Sequence, residues 1–269
     1  IESAALQFSR RATICVSASG NFDGAPPGAQ HVKTFAEAVG LARRAKSENL
    51  RILFRRGERH ATPSSRKQRE VGRQKNLRRL HWGAFGSGPP PVYGPHNISL
   101  RANAAGECCV WGLDYEGPYR ADAPWETNPL GAGAIFAQGK GFTTIWDCGL
   151  RGGEDLISVG RNGADIVVGN CFGTDWHNYG MFGNRGIARV GLCGVWMKQN
   201  PRAVIGNDQK KGEKTPPFYQ DHAPFRCSAL GGPVAFNLCD LRSVGSWTGY
   251  YQPCLRIGRS PNGSGPVLE

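Results

Sequence analysis

The chain has no run of about 18 consecutive apolar residues, so nothing in it is built to cross a bilayer as a helix. No Cys-x-x-Cys pair or histidine at ligand spacing accompanies its ladder-forming cysteines, which removes the usual signature of a zinc site. The first residues carry neither an initiator Met nor the apolar core of a secretory signal. The expected chain is therefore a mature form, with Leu268-Glu269 as a cloning remnant. Aromatic residues are missing between Arg55 and Arg79, and this is where charge collects. From Arg43 to Arg79, fourteen Lys and Arg stand against three Glu, which accounts for most of the formal charge of +12. A segment that binds nucleic acid interleaves aromatics with its cations, so no nucleic-acid partner is expected. The run from Arg66 to Lys75 reads as a solvated loop, with an anion-steering patch as the alternative.

One short pattern does recur. Cys148, Cys171, Cys193 and Cys239 each end a Gly-preceded, β-branched or aromatic run, at steps of 23, 22 and twice 23 residues. A period of about 20 to 25 residues carrying strand-like runs is the mark of a solenoid with one backbone turn per repeat. With 38 Gly and 18 Pro, the chain also suits a fold that turns every few residues. The expected class is all-β: a single-stranded right-handed parallel β-helix with a short N-terminal capping α-helix. One domain spans 1–269, with strand, cap and basic loop in 1–80, coils in 81–258 and a flexible tail in 259–269. Stacked coils bring equivalent positions to about 4.8 Å. The four cysteines should then form one buried inward ladder, acting as small hydrophobes rather than disulfides.

Residues 12–19 read as an opening strand, and Thr34-x-x-Glu37 as a capping box. Phe35, Ala38, Val39 and Ala42 share one helical face, and Leu50 to Phe54 form a strand. The helix is expected to cover the open end of the solenoid.

Val16-Ser-Ala-Ser-Gly20, Thr34-Phe-Ala-Glu-Ala-Val39, Arg51-Ile-Leu-Phe-Arg-Arg-Gly57 and Trp82-Gly-Ala-Phe-Gly-Ser-Gly88, followed by the coils, resemble the pectin-lyase-like right-handed parallel β-helix proteins. That resemblance covers nearly the whole chain. It implies a polysaccharide lyase, hydrolase or epimerase, or a non-catalytic adhesin, and leaves the chemistry to the site.

Four interruptions, 116–131, 172–178, 194–222 and 241–252, follow what reads as the same coil position, so they should wall one groove. Trp125, Trp176, Tyr179, Trp196, Trp247, Tyr250 and Tyr251 lie on or beside them and suit stacking against sugar faces. Lys198, Asn200, Arg202, Asp221, His222 and Arg226 bracket the longest one, with His177 one coil earlier and Arg256 one coil later. β-Elimination of a uronic acid needs a cation on the carboxylate and a base for the proton beside it. By resemblance of type, Lys198 or His222 is the expected base, Arg202 and Arg226 the carboxylate clamps, and calcium the metal that related lyases often use. The substrate would be an acidic polysaccharide, handled by a secreted or periplasmic monomer. A hydrolase would instead use two carboxylates, with Asp155, Asp175 and Asp221 as candidates, and a binding protein would need only the aromatics.

Overall fold

Alternating apolar residues give short strands, and these return in a fixed order. The structure is a computed structural model. It describes residues 12–45, 47–63, 65–102, 106–120, 133–139, 141–159, 165–176, 179–183, 189–198, 225–227, 234–242 and 255–257. The N-terminal part holds β1 (Ala12–Val16), β2 (Gln30–Val32), α1 (Phe35–Arg44), β3 (Asn49–Arg55), β4 (Arg59–Ala61), α2 (Ser65–Val71), β5 (Arg79–Phe85) and β6 (Val92–Gly94). Then come β7 (Ile98–Ala102), β8 (Glu107–Trp111), β9 (Asp114–Glu116), β10 (Ile135–Gly139), β11 (Phe142–Trp146), β12 (Gly149–Arg151), β13 (Asp155–Val159) and β14 (Asp165–Thr174). The last are β15 (Tyr179–Gly183), β16 (Arg189–Lys198), β17 (Phe225–Cys227), β18 (Val234–Asn237), β19 (Asp240–Arg242) and β20 (Leu255–Ile257).

Every described pairing is parallel. A sheet of fourteen strands curls into a half-barrel, and β7, β10, β13, β15, β17 and β20 form a second sheet of six. The fold is thus all-β and parallel, with a solenoid-like curl. Within the large sheet, β1, β3, β5, β8, β11, the first half of β14 and β16, and β18 make one row. A second row joins β4, β6, β9, β12, the second half of β14 and β16, and β19. The chain visits the second sheet, the first row and the second row in turn, as in β7, β8, β9 and again in β10, β11, β12. Parallel strands buried on their inner face explain the core, in which Ile52, Trp82, Val110, Ile145 and Val168 lie in successive first-row strands.

Between the rows the backbone turns at one residue with left-handed φ: Gly112, Asp147 (57°), Asn170 (46°), Gly194 and Leu238 (51°). Asp and Asn tolerate that region, and Asn170 donates its side-chain amide to Asp147 Oδ1 at 2.9 Å, linking neighbouring corners. Leu238 has no such compensation and is exposed. Leu238→Gly is therefore expected to raise stability by about 1 kcal/mol, read as a higher denaturation midpoint.

The corner also corrects the cysteine ladder. Cys148 and Cys171 are buried, and Cys239 is half-buried against the core. The register, however, places Val195 beside Cys171 and sets Cys193 opposite Gly169, two residues earlier and half-buried. A hydrogen bond with Cys171, and then burial, hold the Cys148 thiol well above its usual range, so it stays protonated as a core side chain. The interruptions move for the same reason. Residues 172–174 and 194–198 are strand rather than loop.

At the N-terminal end α1 carries both arms of the capping box and buries Phe35, Ala38, Val39 and Ala42. The basic run is in part a helix rather than a loop. In α2 the buried Gln68 donates to the carbonyls of Pro63 and Asn97 and accepts from the Ser99 N–H. It thereby satisfies backbone groups along β7, the edge strand of the second sheet, while the Lys and Arg of α2 face outward.

Candidate functional site

In the second row the pleat divides side chains cleanly. His60, Tyr93, Tyr115, Leu150 and Met197 are buried on the inner line, while Asp114 and Glu116 flank Tyr115 on the outer face of β9. Together with Arg59, Val92, Gly149, Arg151 and Phe172 they line a depression of about 360 Å³. Gly149, next to Asp114, leaves the room that the carboxylate needs. A Cβ there would stand 2.7 Å from Asp114 Oδ1, and the Gly149 N–H instead donates to that oxygen at 2.9 Å.

The two carboxyl groups are driven in opposite directions. Burial pushes Asp114 up, Asp147 adds to this, and the Gly149 N–H and Arg56 only partly offset it. Glu116 is pulled down by the Arg59 hydrogen bond at 2.5 Å, and Arg120 and Arg151 add to it. Phe172, 45% exposed, gives the depression one apolar wall, and Trp196, 39% exposed, continues the same outward line on β16. The sequence places Glu116 at the start of a loop, which hides Asp114 and Glu116 as a pair on one strand. The alternation Asp114-Tyr115-Glu116 was the available signal.

The predicted residues divide among several places. Trp176 is a core side chain, fully buried at 0% exposure, so its ring is closed to any ligand. Trp196 is exposed. Lys198 ends β16 with its Nζ 2.7 Å from Asp240, which Arg242 also holds. Arg226 and Arg256 are register neighbours in the second sheet, away from the strand that carries Lys198. Tyr179 is paired in register with Asp155, and Asp155 accepts from Ser158. Asp175 is buried beside Arg151, at 3.8 Å. Trp125, His177, Asn200, Arg202, Asp221, His222, Trp247, Tyr250 and Tyr251 lie outside the described residues. Among the described residues no three His, Cys, Asp or Glu side chains converge as a metal site, so the calcium that the resemblance implies has no ligand set there. No described helix is long and apolar enough to cross a membrane.

One further carboxylate fixes the first coil. Glu58 accepts from Ser17 at 2.9 Å, from the Ala18 N–H at 2.6 Å and from Ser19. Burial alone would raise it, but these bonds together bring it below its ordinary value. Glu58 and Glu116 both hold their protons less tightly folded than unfolded. Their contribution is complete above the unfolded carboxylate range and is lost as pH falls through their folded values. Thermal unfolding followed by circular dichroism should show the midpoint dropping below about pH 4.5. Glu58→Gln should flatten that drop while lowering the midpoint at neutral pH.

No family model, no curated protein and no solved structure matches the chain.

Proposed function

We propose that the protein is a parallel β-helix enzyme that hydrolyses a glycosidic bond of a polysaccharide in the Asp114/Glu116 depression. The β-helix reading rests on the repeated order of three strands per turn with a left-handed residue at the same corner. The observation that carries the activity is the opposed pair. Burial raises one carboxyl above its ordinary range and arginine lowers its neighbour below it, two residues apart on one face of β9. Environments that separate two such groups assign an acid and a base. Alternate residues of a strand lie about 6.6 Å apart along the backbone, a spacing from which two carboxyl groups can reach the separations that glycosidases use.

In this reading Asp114 gives its proton to the glycosidic oxygen as the C–O bond breaks. Glu116 either attacks the anomeric carbon or takes a proton from the attacking water, and Phe172 supports the sugar face. Arg59 keeps Glu116 ionised and in place. Elimination has less support among the described residues. Lys198 pairs with Asp240 at 2.7 Å and would have to give up that ion pair to act as a base. The cations lining the depression are likewise paired, Arg59 with Glu116 and Arg151 with Asp175, so an acidic polymer is not required.

The test is a product assay on neutral and acidic polysaccharides. New reducing ends without the ultraviolet absorbance of an unsaturated uronate are expected, with turnover highest at acid pH. It should fall on the alkaline side as Asp114 ionises and on the acid side as Glu116 takes up a proton. Unsaturated products would return the assignment to elimination.

A further inference from the structure

Trp111 and Trp146 share one outward line of the first row, on β8 and β11, with ring centroids 6.1 Å apart. Trp146 lies flat on Gly169 of β14, where a Cβ would fall inside its ring. Trp146 is thus half-buried, with one side of its ring against the sheet. Trp111 is 36% exposed. Beside this pair the next outward line carries Cys109, Thr144, Val167 and Gly191, without a charge. From β8 to β16 the charges of the row sit on its far line, where Arg79 of β5 pairs with Glu107 and Arg189 with Asp165, while nearer the N-terminus the middle line continues through His81 to Arg51. Around the corner, Phe172 and Trp196 continue the exposed aromatics to the wall of the depression.

A strip with a pair of partly exposed indoles beside an uncharged line selects its ligand by chemistry. Among the described residues β8 and β11 carry no Lys or Arg, and Arg56 stands only at the Gly112 corner, so phosphate or carboxylate polymers would find few cations along this strip. A pyranose presents a CH-lined face of about the size of an indole and keeps its hydroxyls at the rim. At that rim the Asp147 and Asn170 side chains offer polar atoms. We infer that Trp111 and Trp146 form a stacking site for a neutral pyranose segment of a polysaccharide, outside the depression and joined to it around the corner by Phe172 and Trp196. The choice of a polysaccharide rests on the proposed hydrolysis, but the site itself does not use Asp114 or Glu116.

Affinity electrophoresis through native gels containing xylan, galactomannan, hydroxyethylcellulose or polygalacturonate tests this. The Asp114→Asn/Glu116→Gln double variant should be retarded by at least one neutral polymer even though it cannot cleave it. This separates failure of the stacking site from failure of the cleavage reading. On that background Trp111→Ala and Trp146→Ala should each weaken retardation about tenfold, the loss of one good aromatic contact. Gly169→Ala should do the same by displacing the Trp146 ring without removing it, and Trp111→Phe should keep most of the binding. Equal migration of these variants and their background, or no retardation by any neutral polymer, overturns the proposal. So does retardation by polygalacturonate alone that salt abolishes. A Trp111→Ala change that converts a dimer to a monomer in sedimentation would reassign the strip to self-association and overturn it as well.

Discussion

Replacing Glu116 by Gln should lower kcat by at least about a thousandfold with little change in KM, because an ionised carboxylate at the anomeric carbon acts chiefly in the transition state. Asp114→Asn should cost about 10²- to 10⁴-fold, the usual worth of a positioned acid. It should cost less on substrates with a good leaving group, which need no proton. Stability separates these losses from unfolding. The Arg59–Glu116 pair lies at the surface, with Arg59 mostly exposed, so breaking it should cost under about 1 kcal/mol. Asp114→Asn removes a carboxyl that burial already disfavours in its charged form, and the folded state should tolerate it. The measurement is initial rate by reducing-end release beside a thermal melt of each variant. Parent rates in both variants would sink the assignment. A fall in rate that tracks a fall in midpoint would make the pair structural.

The stereochemistry of the product adds an independent reading. Attack by Glu116 itself retains the anomeric configuration, whereas activation of water across the sugar inverts it. Asp114 and Glu116 alternate along one strand, so their separation is set by the pleat rather than by a loop. Gly149→Ala probes the same geometry from the neighbouring strand. Its Cβ would press on Asp114 Oδ1, and the alkaline limb of the pH–rate profile should move as the carboxylate is re-seated.

How far the sequence disclosed this molecule depends on what each signal encodes. The capping box and the buried face of α1 were legible because a helix start and its periodicity are local properties, and the structure has both. The repeat was legible because stacking imposes it on every coil, yet its phase slipped at Cys193. A residue type marks a ladder only while the spacing is constant. Between β14 and β16 the register places Val195, not Cys193, beside Cys171. The basic run looked like a loop because its charges hide the two residues that dock it, Gln68 and Val71, both buried. Asp114 and Glu116 could be named from alternation, but the opposite directions in which their acidities are driven could not. This opposition arises from burial and Asp147, which raise Asp114 against the Gly149 N–H, and from Arg59, which lowers Glu116, groups on two other coils that only the pairing brings together.

Trp176 and Trp196 looked alike in the sequence, two tryptophans just beyond a strand-like run, and the structure makes opposite predictions for them. Trp176→Ala should destabilise by about 3 to 5 kcal/mol, because a fully buried indole leaves a cavity that stacked coils cannot close without shifting the ladder on either side. In chemical denaturation this should appear as a large drop in midpoint, while the protein that remains folded binds polysaccharide like the parent. Trp196→Ala should change stability by less than about 0.5 kcal/mol, as expected for an exposed side chain. Its effect should fall on ligand affinity, since its ring continues the line of Phe172 along the depression. If Trp176→Ala left stability untouched and weakened binding, the side chain would have to face the groove, and the inward placement of the segment after β14 would be wrong. If Trp196→Ala unfolded the protein, the outer face of the second row would be covered rather than open, and the depression could not receive a polymer.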